Sequence, residues 1–197
     1  MADFAPILSK DFDASKVNFT YAKVMGSGAK LFFLDYDGKP LFIQSPEMSL
    51  TFDPQVFEDG PDAKYNIKSS LNLSNAQCKE FYEKMQSFDE RLKALGKANS
   101  QEWFKKKNVS DDVIDSMFSS TVREHIDQET GEPNGKWPDS FGFKIIKRDG
   151  KFKDFSIYDK NAVVFDVEGT TENPTDISRL ITKGAHIKSV LKCNGIW

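Results

Sequence analysis

Phe141-Gly142-Phe143-Lys144-Ile145-Ile146-Lys147-Arg148, then Asp149-Gly150, then Lys151-Phe152-Lys153-Asp154-Phe155-Ser156-Ile157-Tyr158 is the stretch that decides the fold class. Two runs rich in aromatic and branched side chains flank Asp-Gly, a pair that tolerates the positive φ of a tight hairpin turn. The spacing predicts strands over 141–148 and 151–158. A second such pair, Asp37-Gly38, lies between Ala29–Tyr36 and Leu41–Gln44 and predicts another hairpin. Upstream, Val17–Val24 and Gly26-Ser27-Gly28 add a strand and a turn. Met48–Phe52, after Pro46, reads as an edge or bent strand. Residues 53–63, with Pro54, Glu58, Asp59, Gly60, Pro61 and Asp62, read as an acidic loop. Tyr65–Leu73 is a further strand, with Tyr65, Ile67, Ser69 and Leu71 on one face.

The period changes at Ser74. Ser74-Asn75-Ala76-Gln77 has the capping-box form, and Cys78, Phe81, Tyr82, Met85, Phe88, Leu92 and Leu95 follow at the spacing of one helical face, up to Gly96. Shorter helices are expected from Asn99 through Phe104 and from Ser110 to near Phe118. Residues 127–140 read as a loop, Ala162–Val167 as a short strand, Thr175–Thr182 as a helix after Pro174, and Ala185–Cys193 as a last strand. The order strands, helices, strands predicts an α+β protein, mainly β: a barrel or sandwich with a helical insertion. The expected layout is a single domain over 1–197: an arm (1–16), a first strand group (17–73), the helical insertion (74–120) and a second strand group (141–197).

Composition agrees with a single packed domain. Among 197 residues, 39% are apolar and 29% charged, and the 17 Phe suit half-buried pleated surfaces. The net charge of −3 argues against indiscriminate duplex binding but allows a local basic groove. Residues 136–197 carry eleven Lys or Arg against eight Asp or Glu, so this end is mildly positive. Met1–Lys10 has no continuous apolar run, so no secretory signal is expected, and Cys78 and Cys193 are expected as free thiols in a reducing compartment. No apolar run has the length of a membrane span.

Catalytic groups are scarce. His125 lies in a polar stretch and His186 opens a strand, and neither accompanies a nucleophile motif. Scattered Cys and His do not make a zinc site. Asp35 and Asp37, or Asp111, Asp112 and Asp115, are explained by turn and helix-start chemistry, so no metal, cofactor or catalytic residue is expected. Gly26-Ser27-Gly28-Ala29-Lys30 departs from the P-loop spacing and precedes a strand, so it reads as a hairpin turn. What remains is lysine interleaved with aromatics. Cations that track phosphates and rings that stack on bases are what single-stranded nucleic acid requires. The candidate phosphate contacts are Lys30, Lys144, Lys147, Arg148, Lys151 and Lys153; the candidate stacking residues are Tyr21, Trp137, Phe143 and Phe152.

Tyr21-Ala22-Lys23-Val24-Met25-Gly26-Ser27-Gly28-Ala29-Lys30 and Leu41-Phe42-Ile43-Gln44-Ser45-Pro46-Glu47-Met48 resemble the opening strands of the single-stranded-DNA-binding proteins of large nucleocytoplasmic DNA viruses. Trp103-Phe104, Phe143-Lys144 and Val190-Leu191-Lys192-Cys193-Asn194-Gly195-Ile196-Trp197 are similar to the same family. The resemblance implies an OB-like antiparallel barrel that coats single-stranded DNA during viral replication or repair, inside the host cytoplasm or nucleus, alongside replication proteins or further copies of itself. It also implies a departure: the family continues past the Trp into another strand, so a missing last strand and an absent acidic tail are expected here. Two other functions fit the residues. One is a structural or assembly protein of a virus particle, acting through protein contacts. The other is a metal-dependent nuclease using Asp35 and Asp37.

Overall fold

The computed structural model describes residues 5–59, 62–127, 129–133, 135–172 and 175–197, with the backbone alone at Tyr21, Ala22, Glu58 and Asp59. In chain order the strands are β1 (Ile7–Leu8), β2 (Val17–Val24), β3 (Lys30–Tyr36), β4 (Lys39–Pro40), β5 (Phe42–Gln44), β6 (Met48–Leu50), β7 (Gln55–Asp59), β8 (Asp62–Ser70), β9 (Val122–Arg123), β10 (Ser140–Arg148), β11 (Lys151–Phe152), β12 (His186–Ile187) and β13 (Val190–Lys192). The α-helices are α1 (Ala76–Ala98), α2 (Ser100–Phe104), α3 (Asp111–Met117) and α4 (Ile177–Leu180). The protein is therefore α+β and mainly β, with antiparallel pairing dominant. No sheet closes on itself among the described residues. The chain divides into two compact units built from interleaved segments: Met1–Glu47, Asn72–Arg123 and Lys188–Trp197 form the first, Met48–Leu71 and Glu124–Ile187 the second.

The first unit packs α1 with two three-stranded sheets, ordered β1-β5-β13 and β2-β3-β4. Cys78, Phe81, Met85, Phe88, Leu92 and Leu95 are all buried, as their helical spacing requires. The helix begins one residue later than the capping box predicts. Asn75 is the N-cap, its Oδ1 accepting from the amides of Gln77 (2.9 Å) and Cys78 (3.2 Å) and so satisfying two otherwise free donors. Gly96 does not end it. The helix runs on to Ala98, and the missing side chain at Gly96 lets the Trp103 ring lie where a Cβ would stand 3.4 Å from it. The expected arm, from Ala5 onward, is part of the fold: β1 runs parallel to β5, and Phe12 is fully buried between Tyr36 (ring centroids 5.6 Å) and Phe88 (5.9 Å).

The end of the chain joins the same unit. Phe32 and Ile196 exchange two backbone hydrogen bonds of 2.9 Å. Gly195, at φ +146°, makes this approach possible, since a Cβ there would lie 2.2 Å from the Phe32 carbonyl oxygen.

In the second unit β8 is the axis. It pairs with β10 over its length, from Ala63↔Lys147 to Ser70↔Ser140, and on its other edge with β7 and β6. β10 turns through Asp149-Gly150 (φ 50° and 77°) into β11, and β6 extends the sheet to β12. The Asp37-Gly38 turn of the first unit has the same two positive φ angles (49° and 75°), as both Asp-Gly pairs predict. Leu50, Ile67, Ile145, Ile177 and Ile181 form the core on one face of this sheet. Each such buried branched side chain contributes about 1.5–3 kcal/mol over its exposed state.

Five expectations change here. Residues 55–59 of the expected acidic loop are strand β7, because Gln55-Val56-Phe57 alternates against β8; Gly60 and Pro61 lie outside the described residues. The second arm of the Asp149-Gly150 hairpin is strand only at Lys151–Phe152. Ala162–Val167 is not a strand: it contributes one bridge, Tyr158↔Val164, and Val163 and Val164 are exposed. The expected strand 185–193 is two strands, β12 on β6 and β13 on β5, one in each unit. The expected helix over 175–182 shortens to α4, capped by Asp176, whose Oδ1 accepts from the Ser178 amide at 2.9 Å; Pro174 is outside the described residues.

Candidate nucleic-acid interface

Side chains alternate between the two faces of a strand, so register decides which residues of β8 and β10 stand together. Phe141, Phe143, Ile145 and Lys147 face the core side, opposite Ser69, Ile67, Tyr65 and Ala63. The other face carries Gly142, Lys144, Ile146 and Arg148 from β10, opposite or beside Lys64, Asn66 and Lys68 from β8. Lys151 pairs with Arg148, and Phe57 of β7 pairs with Lys64, so both join this outer face.

The outer face therefore gathers Lys64, Lys68, Lys144, Arg148 and Lys151, all exposed, with Phe57 standing 56% exposed among them. None of these cations has a carboxylate partner among the described residues. From Lys64 to Ser70 and from Ser140 to Arg148, no outer-face position holds an acid. Asp62, at the turn end of the face, has its Oδ1 3.1 Å from the Asp149 amide, from which it accepts.

Lys64, Lys68 and Lys144 are staggered: each stands opposite a neutral residue (Ile146, Gly142 and Asn66), which keeps like charges apart. Arg148 and Lys151 are the exception, facing one another directly, an arrangement that costs stability and that a bound anion relieves. Gly142 leaves a bare patch of backbone beside Lys68, with only ordinary contact (3.7 Å to the Ile67 oxygen) awaiting a Cβ. Along one strand, Lys144 and Arg148 are about 13 Å apart, four strand rises.

The remaining sequence-predicted residues fall elsewhere. Phe143 and Phe152 are partly buried and pack against the core cluster, not into solvent. Lys147 shares their face, its Nζ 5.3 Å from the centre of the Phe152 ring. Lys153 is exposed beyond β11, its amide donating to the Ile146 carbonyl at 2.9 Å. Trp137 is 64% exposed in a loop, 6.3 Å from the His125 ring. Tyr21 and Lys30 belong to the first unit; Lys30 opens β3, and the Tyr21 side chain is outside the described part of the structure. Sequence reasoning missed Phe57 and left Lys64 and Lys68 out of the site. Parity within each strand carried the signal, since Lys64 and Lys68 cannot share a face with Ile67.

The carboxylates considered for metal are engaged in structure. Asp35 Oδ1 accepts from the Gly38 amide at 2.8 Å, and Asp37 pairs with Lys16 at 3.3 Å. Among the described residues no group of three or more His, Cys, Asp or Glu is placed to hold a metal ion, and no helix is long and apolar enough to cross a membrane. Cys78 and Cys193 are unpaired, and burial pushes the Cys193 thiol up to about 11. No protein-family model matches this chain, and neither does any curated protein or solved structure.

Proposed function

We propose that the second unit binds single-stranded DNA, with little sequence preference and without catalysis, across the outer face of the β8–β10 sheet. The observation that carries this reading is the shared face of Lys64, Lys68, Lys144, Arg148 and Lys151, with no acid at its positions from Lys64 to Ser70 and from Ser140 to Arg148, and with the exposed Phe57 ring beside it. Cations at strand spacing neutralise successive phosphates, and an exposed ring contributes about 1–3 kcal/mol per stacked base. The bare backbone at Gly142 gives a base room to lie flat. The viral resemblance supplies the setting, DNA replication or repair in an infected host cell. It also supplies the OB-like barrel, which the open strand paths alone would not suggest.

Fluorescence anisotropy of labelled oligo-dT at two salt concentrations tests the proposal. Engaging four or five phosphates gives a slope of log K against log salt of about −3. Affinity indifferent to salt, or unchanged by Lys144→Glu with Arg148→Glu, would sink it. A second reading, a virion assembly protein working through protein contacts, is favoured by the exposed Phe52, Val56 and Phe57. It predicts self-association that Phe57→Ser weakens and that charge reversal at Lys144 leaves untouched.

A further inference from the structure

Gly195 holds φ +146° where it passes Phe32, a place that suits only a residue without a Cβ, and it follows Asn194, which is exposed. Asparagine before glycine carries a chemistry of its own. With no side chain beside it, the glycine nitrogen can reach the carboxamide carbon of the preceding residue and close a cyclic imide.

Among the described asparagines, Asn194 is the one left open to this step. Asn18, Asn72, Asn75 and Asn99 hold their carboxamides in hydrogen bonds of 2.9, 3.1, 2.9 and 2.8 Å, and Asn161 reaches Asp159 at 3.4 Å. Asn66 and Asn108 precede the buried, branched Ile67 and Val109, which crowd the attacking nitrogen. The Asn194 carboxamide meets no partner among the described residues. The Gly195 amide donates to no oxygen there; its contact is with the Cys193 sulfur, a weak acceptor. A second Asn-Gly pair begins at Asn134, which lies outside the described residues.

We infer that Asn194-Gly195 is a self-modification site, at which conversion of Asn194 to isoaspartate unfastens residues 193–197 from the first unit. Hydroxide takes the Gly195 N–H proton, the nitrogen attacks Asn194 Cγ, and the new N–C bond expels the side-chain nitrogen as ammonia, protonated from water. Water then opens the imide. Attack at Cγ leaves aspartate; attack at the main-chain carbonyl leaves a free carboxylate there and routes the backbone through Cβ and Cγ. The overall change consumes water and releases ammonia, with no oxidant or cofactor.

The lengthened backbone falls between two fastenings. On one side the Cys193 amide donates to the Leu41 carbonyl at 2.9 Å, and on the other Ile196 exchanges its two 2.9 Å bonds with Phe32. There is no slack between them, since a Cβ on Gly195 would already stand 2.2 Å from the Phe32 oxygen. An extra main-chain atom therefore keeps one fastening by giving up the other. The same closeness forbids a protective larger residue after Asn194, so the fold retains the glycine that makes the site reactive. The inference does not rest on DNA binding by the second unit.

The test ages the full chain at mildly alkaline pH in an Asn134→Gln background, which silences the other Asn-Gly pair. Peptide mapping with isoaspartyl methyltransferase labelling should find isoaspartate at Asn194 ahead of every other asparagine, and none there in Asn194→Gln. Hydrogen exchange at the Phe32 and Ile196 amides should become about tenfold faster in the aged protein, as expected when two hydrogen bonds are lost. Aged Asn194→Gln should keep the original exchange. Fresh Asn194→Asp, which adds the charge without lengthening the backbone, should keep it too. Isoaspartate appearing at Asn72, Asn75 or Asn99 before Asn194 overturns the inference. So does isoaspartate at Asn194 with unchanged exchange, or equally fast exchange in Asn194→Asp.

Discussion

The two units both combine lysine with aromatic rings and use the combination in opposite ways. In the first, Lys16 lies over Tyr36 and pairs with Asp37 at 3.3 Å, while Lys93 lies over Phe118 and pairs with Asp115 and Glu90. At these two contacts a carboxylate accompanies the cation and ring, and the charge is used up in holding the fold. In the second, the rings of Phe143 and Phe152 go inward, and the lysines on the opposite side of the sheet have no carboxylate partner among the described residues. The difference teaches where to look for function. A paired charge explains itself, whereas a row of cations without carboxylates on one regular face is where the proposed ligand would bind. Lys30, over Phe32 in the first unit, is held instead by the Glu102 carbonyl at 3.0 Å.

The largest expected effect breaks the first unit through shape and not charge. Gly195→Ala forces a Cβ to within 2.2 Å of the Phe32 oxygen at a positive φ. The variant should lose about 3 kcal/mol, read as a fall of roughly 6–12 °C in Tm; an unchanged melt would remove the bridge from any account of stability. Next comes the charge contrast itself. Lys144→Glu with Arg148→Glu should weaken oligo-dT binding about 100-fold, while Lys93→Gln with Lys97→Gln should leave affinity alone and cost only about 0.5–1 kcal/mol of stability. Equal losses of affinity in both pairs would erase the distinction between the units.

A third effect concerns a buried acid of the first unit. Asp89, on the inner face of α1, accepts from the Thr121 amide at 2.9 Å through Oδ2, and burial pushes its carboxyl up to about 6 from an ordinary 3.8. Its folded pKa exceeds its unfolded one, so the folded state holds the extra proton between about pH 4 and 6. Stability from this group is highest in acid and is lost as pH rises through 6. Asp89→Asn keeps an acceptor for Thr121 and should raise stability at pH 7 by about 2 kcal/mol while flattening this part of the pH profile. Denaturant melts at pH 5 and 7.5 decide it: a variant with the wild-type pH dependence would show the carboxyl titrates normally. The smallest effect is at Gly142. Valine there meets only ordinary contact, so the fold should hold while oligo-dT binding drops about threefold, less than 1 kcal/mol.

Much of the fold was legible because local rules and tertiary structure agree. The 3.6-residue spacing from Cys78 to Leu95 and the two Asp-Gly turns predict α1 and both hairpins directly. Where breakers outvoted alternation, as in residues 53–63, strand β7 was missed; where apolar content was counted without a pairing partner, as in Ala162–Val167, a strand was expected that does not form. The site was half legible. Lys144, Arg148 and Lys151 were singled out, but Phe143 and Phe152 were expected to meet bases although they share parity with the core residue Ile145. Lys64, Lys68 and Phe57 come into place only through the β7–β8–β10 register, which no single strand encodes.

The interleaving of the two units has a consequence for how the protein can be divided. The polypeptide passes from one unit to the other four times, after Glu47, Leu71, Arg123 and Ile187. Neither unit corresponds to a stretch of gene that could be expressed, duplicated or exchanged by itself. Cutting the chain after Leu71 or after Arg123 splits both units between the two pieces, and a cut after Glu47 or Ile187 splits the first. A frameshift anywhere before Ile187 therefore alters part of both units.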